Sequence, residues 1–494
     1  MNLSPRWKQS LALAASVLLG ALSLLAAGLP ALDEAARLEE QGRFKDASAL
    51  LQTTLADTNL SPRLRQQTEF ELDRLDRIRK DYPLTRESLF TALQSATRDL
   101  TPTEFEQWLE AGRFDRRSFD GEERFMASSV SNLYFRHPEL AGRRLKPGGT
   151  AGYQLSVWKN CQNLLAAVVR EKTNYVLPTR FSCTMTVQVK PDIVPAGEPI
   201  RCWLPVPRRY PFQRDIVIRF SQPLERQVAD EFSPIRSVFL EQPSAGLQPT
   251  VFSVDYAYTA AGVRFDLQPK QSRPVPTNSP AARFFTLEAP HIVFTPEMRA
   301  LAAELAGKET NPVLLARRYY DWVSTNIQYS FALEYSTIRN LGTYCLTNRY
   351  GDCGQEAFLF MTLCRLSGIP ARWQSGWATF PGGETIHDWC EIYLAPWGWV
   401  PVDPYMGIWA MQCATHLSPD QRLQVRDFYF GGLDQWRMIA NSDHCQPLWP
   451  AKKSLRADTV DFQRGELEAA GKHLYFGQFS YDLIVHEILM GVAE

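Results

Sequence analysis

The stretch Tyr350-Gly351-Asp352-Cys353-Gly354-Gln355-Glu356-Ala357 leads into an apolar run, 358–366, that stops at Gly368-Ile369-Pro370. An apolar run opened by Asp and closed by Gly and Pro predicts a short buried helix with Cys353 at its N-terminus. There the unpaired N–H groups and the positive end of the helix dipole favour thiolate over thiol, the form that attacks carbonyl carbon. The flanking glycines let a carbonyl approach the backbone, so the Cys353 N–H is placed to donate to the oxyanion that the attack creates.

A nucleophilic thiol needs a base, and among seven histidines His387 has the most informative surroundings. It opens the alternating run His387-Asp388-Trp389-Cys390-Glu391-Ile392-Tyr393-Leu394. The turn Ala395-Pro396-Trp397-Gly398 and a second run, Trp399-Val400-Pro401-Val402-Asp403-Pro404, complete a predicted β-hairpin. The midpoint between His387 and Asp403 lies in the turn, so antiparallel pairing sets them opposite one another. A one-pair slip leaves them diagonal partners, roughly 7–8 Å apart on the same face. Cys353 as nucleophile, His387 as base and Asp403 as the group that orients the imidazole are the three roles of a Cys/His/Asp triad.

These blocks, in this order, resemble the transglutaminase-like superfamily of papain-fold cysteine enzymes. Gly351 through Ala357, with Gly368-Ile369-Pro370-Ala371-Arg372 behind it, resembles the nucleophile helix. His387-Asp388-Trp389-Cys390-Glu391 resembles the histidine strand, and Gly398-Trp399-Val400-Pro401-Val402-Asp403-Pro404 the aspartate strand. Asp321-Trp322-Val323-Ser324-Thr325-Asn326-Ile327-Gln328-Tyr329 is similar to the helix that precedes them, which extends the likeness to about residues 296–410. Tail segments such as Phe462-Gln463-Arg464-Gly465-Glu466 look like extensions of exported bacterial members.

The resemblance implies that Cys353 attacks a protein or peptide carboxamide and leaves a thioester, which an amine or water then resolves. The first outcome is a transglutaminase and the second a cysteine protease or amidase; both share the acyl-enzyme. Members carry a further oxyanion donor before the nucleophile, for which Tyr344 and Asn348 are the candidates here. Trp389 shares a strand face with His387 and is a candidate for binding substrate. Cys364 and Cys390 read as core residues. The reading from another class is a non-catalytic binding scaffold with a vestigial triad, against which the intact triad argues.

The rest of the 494 residues limits the alternatives. Lys+Arg of 53 against Asp+Glu of 54 gives a net charge of -1, without the basic footprint of a nucleic-acid binder. A hydrophobic share of 45% excludes wholesale disorder. Arg6 and Lys8 precede an uncharged Leu/Ala-rich stretch over 9–32, with small residues at Ala26-Ala27-Gly28. This predicts a signal peptide over 1–28, or a membrane anchor, since about 20 apolar residues span a bilayer. Either reading exports the bulk, to the periplasm or medium in the first case and on the membrane in the second.

A helical module is expected over 29–172, with an N-cap at Thr101 and one tetratricopeptide-like hairpin, and it is expected to offer a surface to a protein partner. Short Val/Ile/Phe/Tyr runs then predict a β-sandwich over 178–290. Residues 291–494 complete a multidomain α+β chain as a papain-like catalytic domain with a C-terminal extension. Nine cysteines leave at least one unpaired in a monomer. Cys413, His416, His444 and Cys445 have zinc-ligand chemistry but weak spacing, and a Cys413–Cys445 disulfide or two unrelated thiols explains them as well. P-loop, dinucleotide and paired-His motifs are missing from the sequence, so no cofactor and no metal are expected.

Overall fold

The computed structural model describes residues 30–146 and 150–490, so the expected leader at 1–28 lies outside the described residues. Among the described residues no helix is long and apolar enough to cross a membrane. The chain divides into two compact units, 1–130 and 131–494.

In the first unit the helices α1 (Pro30–Glu40), α2 (Phe44–Leu55) and α3 (Pro62–Asp81) bury Leu38, Phe44, Leu51, Leu75 and Ile78 at helical spacing. Buried Arg74 pairs with Glu39, which Arg117 also reaches at 2.7 Å. Helices α4 (Arg86–Gln94) and α5 (Pro102–Glu110) start at Thr85 and Thr101, whose side chains accept the N–H of Ser88 and Glu104. A hairpin, β1 (Arg116–Phe119) with β2 (Glu122–Phe125), follows.

In the second unit, α6 (Ala151–Glu171) is the first long helix. The sequence reading grouped this helix with the N-terminal module. Its Val157, Cys161 and Leu164 instead pack with Met406, Ala410, Val425 and Phe428, because its apolar stripe matches that surface.

Two five-stranded sheets come next, built from β3 (Tyr175–Val189), β4 (Pro199–Pro205), β5 (Gln213–Gln222), β6 (Gln227–Val228), β7 (Ser237–Pro243) and β8 (Thr250–Arg264). Neither sheet is complete within that span. The first pairs β3 with β8, and adds β14 (Gly432–Leu433) on β8 and β18 (Phe479–Met490) on β3. The second adds β16 (Glu466–Ala469) to β4 and β17 (Lys472–His473) to β16. Apolar residues of both, among them Phe181, Leu204, Leu240, Phe252 and Leu467, meet in one cluster. The sequence boundary at 290 misses this because long-range antiparallel pairing leaves no local trace. The tail strands are recognisable only by their partners.

The region between is organised around one helix, preceded in the chain by a two-residue parallel pair, β9 (Gln328–Tyr329) with β10 (Tyr350–Gly351). Helices α7 (Pro296–Ala306), α8 (Pro312–Asn326) and α9 (Leu341–Asn348) pack with α10 (Cys353–Leu366), which is buried along nearly its whole length. Against it lies a four-stranded sheet in the order β13 (Gly398–Val402), β12 (Thr385–Leu394), β11 (Ala371–Ala378) and β15 (Arg437–Asn441). Short helices α11 (Pro404–Ile408) and α12 (Pro419–Phe428) close this layer.

Strands β11 and β15 meet at a register shift beside Gly376, where a Cβ would lie 1.9 Å from the Met438 carbonyl oxygen. Backbone cannot retreat as a flexible side chain can. Gly376→Ala is therefore expected to lose about 1–3 kcal/mol, in the range of overpacked cores, read as a lower urea midpoint at unchanged slope.

Candidate active site

The local chain explains why Cys353 begins a helix. Asp352 accepts the Gln355 N–H and the Gln355 side chain reaches back to the Asp352 N–H, a reciprocal cap that fixes the first turn at Cys353. Gly354 follows because a Cβ there would sit 2.1 Å from the Tyr335 hydroxyl and 2.8 Å from Asp388 Oδ2. Only glycine lets those two groups reach the helix end.

The hairpin forms as expected, with Tyr393 facing Trp399 and Cys390 facing Val402. Continuing that register levels Asp403 with Trp389, one same-face step from His387, so the diagonal arrangement holds. His387 Nε2 lies 2.8 Å from Asp403 Oδ2. Asp403 is fully buried, accepts the Met406 N–H at 3.0 Å as N-cap of α11, and lies 3.0 Å from Arg437 Nη1. Burial pushes its pKa up, but His387 and Arg437 outweigh that and hold it below the usual carboxylate range. Arg437 in turn bonds Asp434 at 2.9 Å and stacks over Trp389, 4.9 Å from the ring centroid.

Cys353 is partly exposed, and its thiol donates to Asp388 Oδ2 at 3.5 Å. The structure thus joins His387 to Asp403 while the polar partner of the sulfur is Asp388, a residue the sequence reading did not select. Burial first, then Asp388, Asp352 and Glu356, push the Cys353 thiol well above its ordinary range. Burial, followed by Asp352 and Asp403, also drives Glu356 well up, and neither of its carboxyl oxygens has a hydrogen-bond partner.

The other sequence candidates fall elsewhere. Trp389 is completely buried and its indole donates to Gln374, so it supports His387, 5.5 Å away ring to ring, from the core rather than lining a cleft. Tyr344 packs at the edge of the helical core near Tyr350, and exposed Asn348 donates to the Tyr344 carbonyl. Cys413 and Cys445 carry free thiols, each pushed by burial to about 12, and His444 Nε2 meets the Pro290 carbonyl oxygen at 2.9 Å. No cluster of three or more metal-ligating side chains occurs among the described residues.

A cavity of about 450 Å³ opens beside His387. Tyr153, Phe380, Tyr405 and Trp409 supply aromatic walls, with Glu384, Asp434 and Arg437 among its polar lining. The Tyr405 ring meets the His387 ring edge-on at 5.1 Å. Burial, then Cys413, Tyr153, Cys353 and Glu356, raise the Tyr405 hydroxyl's pKa well above the ordinary value, so it is a neutral donor at the cavity wall.

Comparison with known proteins agrees with this architecture: residues 299–404 match the transglutaminase-like superfamily, and the chain carries a domain of that superfamily. An uncharacterised protein of Haemophilus influenzae is 28% identical over 142 residues, covering 23% of this chain and 37% of that protein. The chain therefore spans well under two thirds of the curated relative it matches. Among solved structures, a candidate cysteine protease from Cytophaga hutchinsonii is 19% identical with a TM-score of 0.42, over 65% of this chain and 93% of that one. The periplasmic domain of TgpA from Pseudomonas aeruginosa is 15% identical with a TM-score of 0.26, over 53% and 94%.

Two buried carboxyls predict a pH dependence. Burial raises Asp352 and Asp461 from 3.8 to about 6. Between those values the folded chain keeps protons that the unfolded chain releases, so their contribution to stability is full below about pH 4 and is lost as the pH rises through about 6. Asp461→Asn cannot ionise and is expected to flatten that fall, which urea midpoints taken near pH 4.5 and near pH 7 check.

Proposed function

We propose that this chain is an exported transglutaminase-like cysteine enzyme in which Cys353 forms a thioester from a protein or peptide carboxamide. The observation that carries the reading is the buried His387–Asp403 pair at 2.8 Å in the hairpin that packs against the helix of Cys353. The thiolate attacks the carboxamide carbon, and the Cys353 N–H, which has no helical carbonyl to bond, receives the developing oxyanion. With Nε2 committed to Asp403, Nδ1 of His387 is the nitrogen that takes the Cys353 thiol proton as the thiolate forms and then gives it to the departing amine. Asp403 orients the ring and stabilises the imidazolium without taking the proton itself. An amine or water then enters from the cavity beside His387 and releases the acyl group.

Transfer to an amine is the leading reading and hydrolysis, as in a protease or amidase, the second; the acyl-enzyme is common to both. Export rests on the leader-like residues 1–28, and the N-terminal helical unit is proposed to hold a protein partner. Incubation with a carboxamide peptide library followed by mass spectrometry is expected to trap a thioester on the wild type and none on Cys353→Ala. A thiol that never acylates would return the chain to the non-catalytic scaffold class.

Asp403→Asn is expected to lower turnover by about 10⁴, as the equivalent change does in a serine triad, and His387→Ala by at least as much. The double variant should be little worse than the worse single one, because the residues act as a unit. Losses that multiply would leave a Cys/His pair with an independent Asp403.

A further inference from the structure

The cavity beside His387 is walled by rings that the core does not use up. Tyr153, Phe380, Tyr405 and Trp409 line it, and each of the four is only half-buried. Tyr153 stands nearly perpendicular to two of its neighbours, meeting Phe380 at 87° and Trp409 at 84°, with ring centroids 5.6 and 6.1 Å apart. Rings at right angles around one space can turn their negative faces to a common centre, and a cation within about 6 Å of each centroid is attracted by all of them.

The local chain fixes these walls. Thr150 caps α6 and accepts the Tyr153 N–H at 3.2 Å, which sets the turn that carries Tyr153. The loop 379–384 comes so close that a Cβ on Gly383 would sit 2.5 Å from the Tyr153 hydroxyl and 2.8 Å from its ring. Trp409 opens a π turn, Trp409–Cys413, directly behind α11. Such turns are rare and gather at functional sites.

The charges select the ligand. Among the described residues that line the cavity, Glu384 and Asp434 stand against one guanidinium, Arg437, which Asp434 and Asp403 already hold. A cation is therefore favoured over an anion, and its demand for hydrogen bonds must be small. Asp434 Oδ1 takes the Trp436 N–H at 2.9 Å, and its Oδ2 takes the Tyr429 hydroxyl and Arg437, each at 2.9 Å. Glu384 accepts the Gly382 N–H at 3.0 Å from an exposed position. A primary ammonium brings three N–H donors that need acceptors once water is left behind. A trimethylammonium group has no such donor, and ring faces alone satisfy it.

We propose that this cavity is an aromatic cage for a trimethylammonium group of the choline type, carried by a free solute or by a lipid head. Its volume of about 450 Å³ is that of a small-molecule site. Binding does not depend on Cys353, which lies outside the lining. Only its use, to present a substrate beside His387, rests on Cys353 being the nucleophile.

The test is calorimetric titration of the full chain at constant ionic strength with choline, with ethanolamine, and with dimethylbutanol, the neutral isostere in which carbon replaces the nitrogen. Choline is expected to bind about tenfold or more tighter than either, the factor that a desolvated cation–π contact supplies. Trp409→Leu and Tyr153→Leu are each expected to weaken choline by about tenfold and to move the isostere little, because leucine keeps an apolar wall and loses the ring. Cys353→Ala should bind choline as wild type does, so a failed acyl reaction and a failed cage are read apart. Sedimentation with phosphatidylcholine vesicles separates the two sources: retention that free choline reverses assigns a lipid head, and choline binding without retention assigns a free solute. Equal affinity for choline and its isostere, tighter binding of ethanolamine than of choline, or wild-type choline affinity in both leucine variants each overturns the cage. Should a leucine variant fail to fold, the wild-type comparison of the three ligands still decides.

Discussion

A carboxylate without solvent is the constraint around which the layer of the candidate site is arranged. Asp403 has no exposed surface, and an ionised carboxylate so placed is untenable without partners. It obtains them from three directions: His387 from the neighbouring strand, Arg437 from the far strand of the same sheet, and the first turn of the helix that Asp403 itself caps. Arg437 would bring an excess of positive charge to the imidazole, but Asp434 binds its other side and offsets it. Two carboxylates and one guanidinium leave the cluster one negative charge in surplus, which an imidazolium at His387 would neutralise.

Much of the candidate site was legible because its parts are local. A capped helix start at Cys353 and a hairpin joining residues 16 apart leave patterns within short windows. The register was legible only to within one pair, since a midpoint count cannot see that Leu394 pairs with Gly398 and so shifts Asp403 to the diagonal. What was not legible arrives from far away. Tyr335, Arg437 and Gln463 touch the site across long intervals of chain, and each looks ordinary in its own window. Asp388 did carry a signal, an acid on the inward side of an alternating strand, but its meaning depends on the sulfur it meets.

The thiol shows how burial overrules a local rule. A helix N-terminus favours thiolate by a modest amount that fades within the first turn. Burial first, and then three carboxyls gathered by tertiary packing, push the same sulfur the other way. The fold outside the site diverged for a related reason. The helical and strand periods were correct for the longer elements, yet β14 and β16 to β18 belong to sheets begun more than two hundred residues earlier, and only pairing defines them.

Gln463 bonds both the His387 carbonyl oxygen and the Asp388 carboxyl, although it lies 76 residues beyond His387 in the chain. The strands that follow it then close sheets founded well upstream of the nucleophile. During synthesis the cysteine, the imidazole and their orienting carboxylate are therefore all made before the piece that clamps them. A nascent or interrupted chain carries Cys353, His387 and Asp403 before the segment that clamps the strand beside them has been made, and the site takes its geometry only once the tail has folded back.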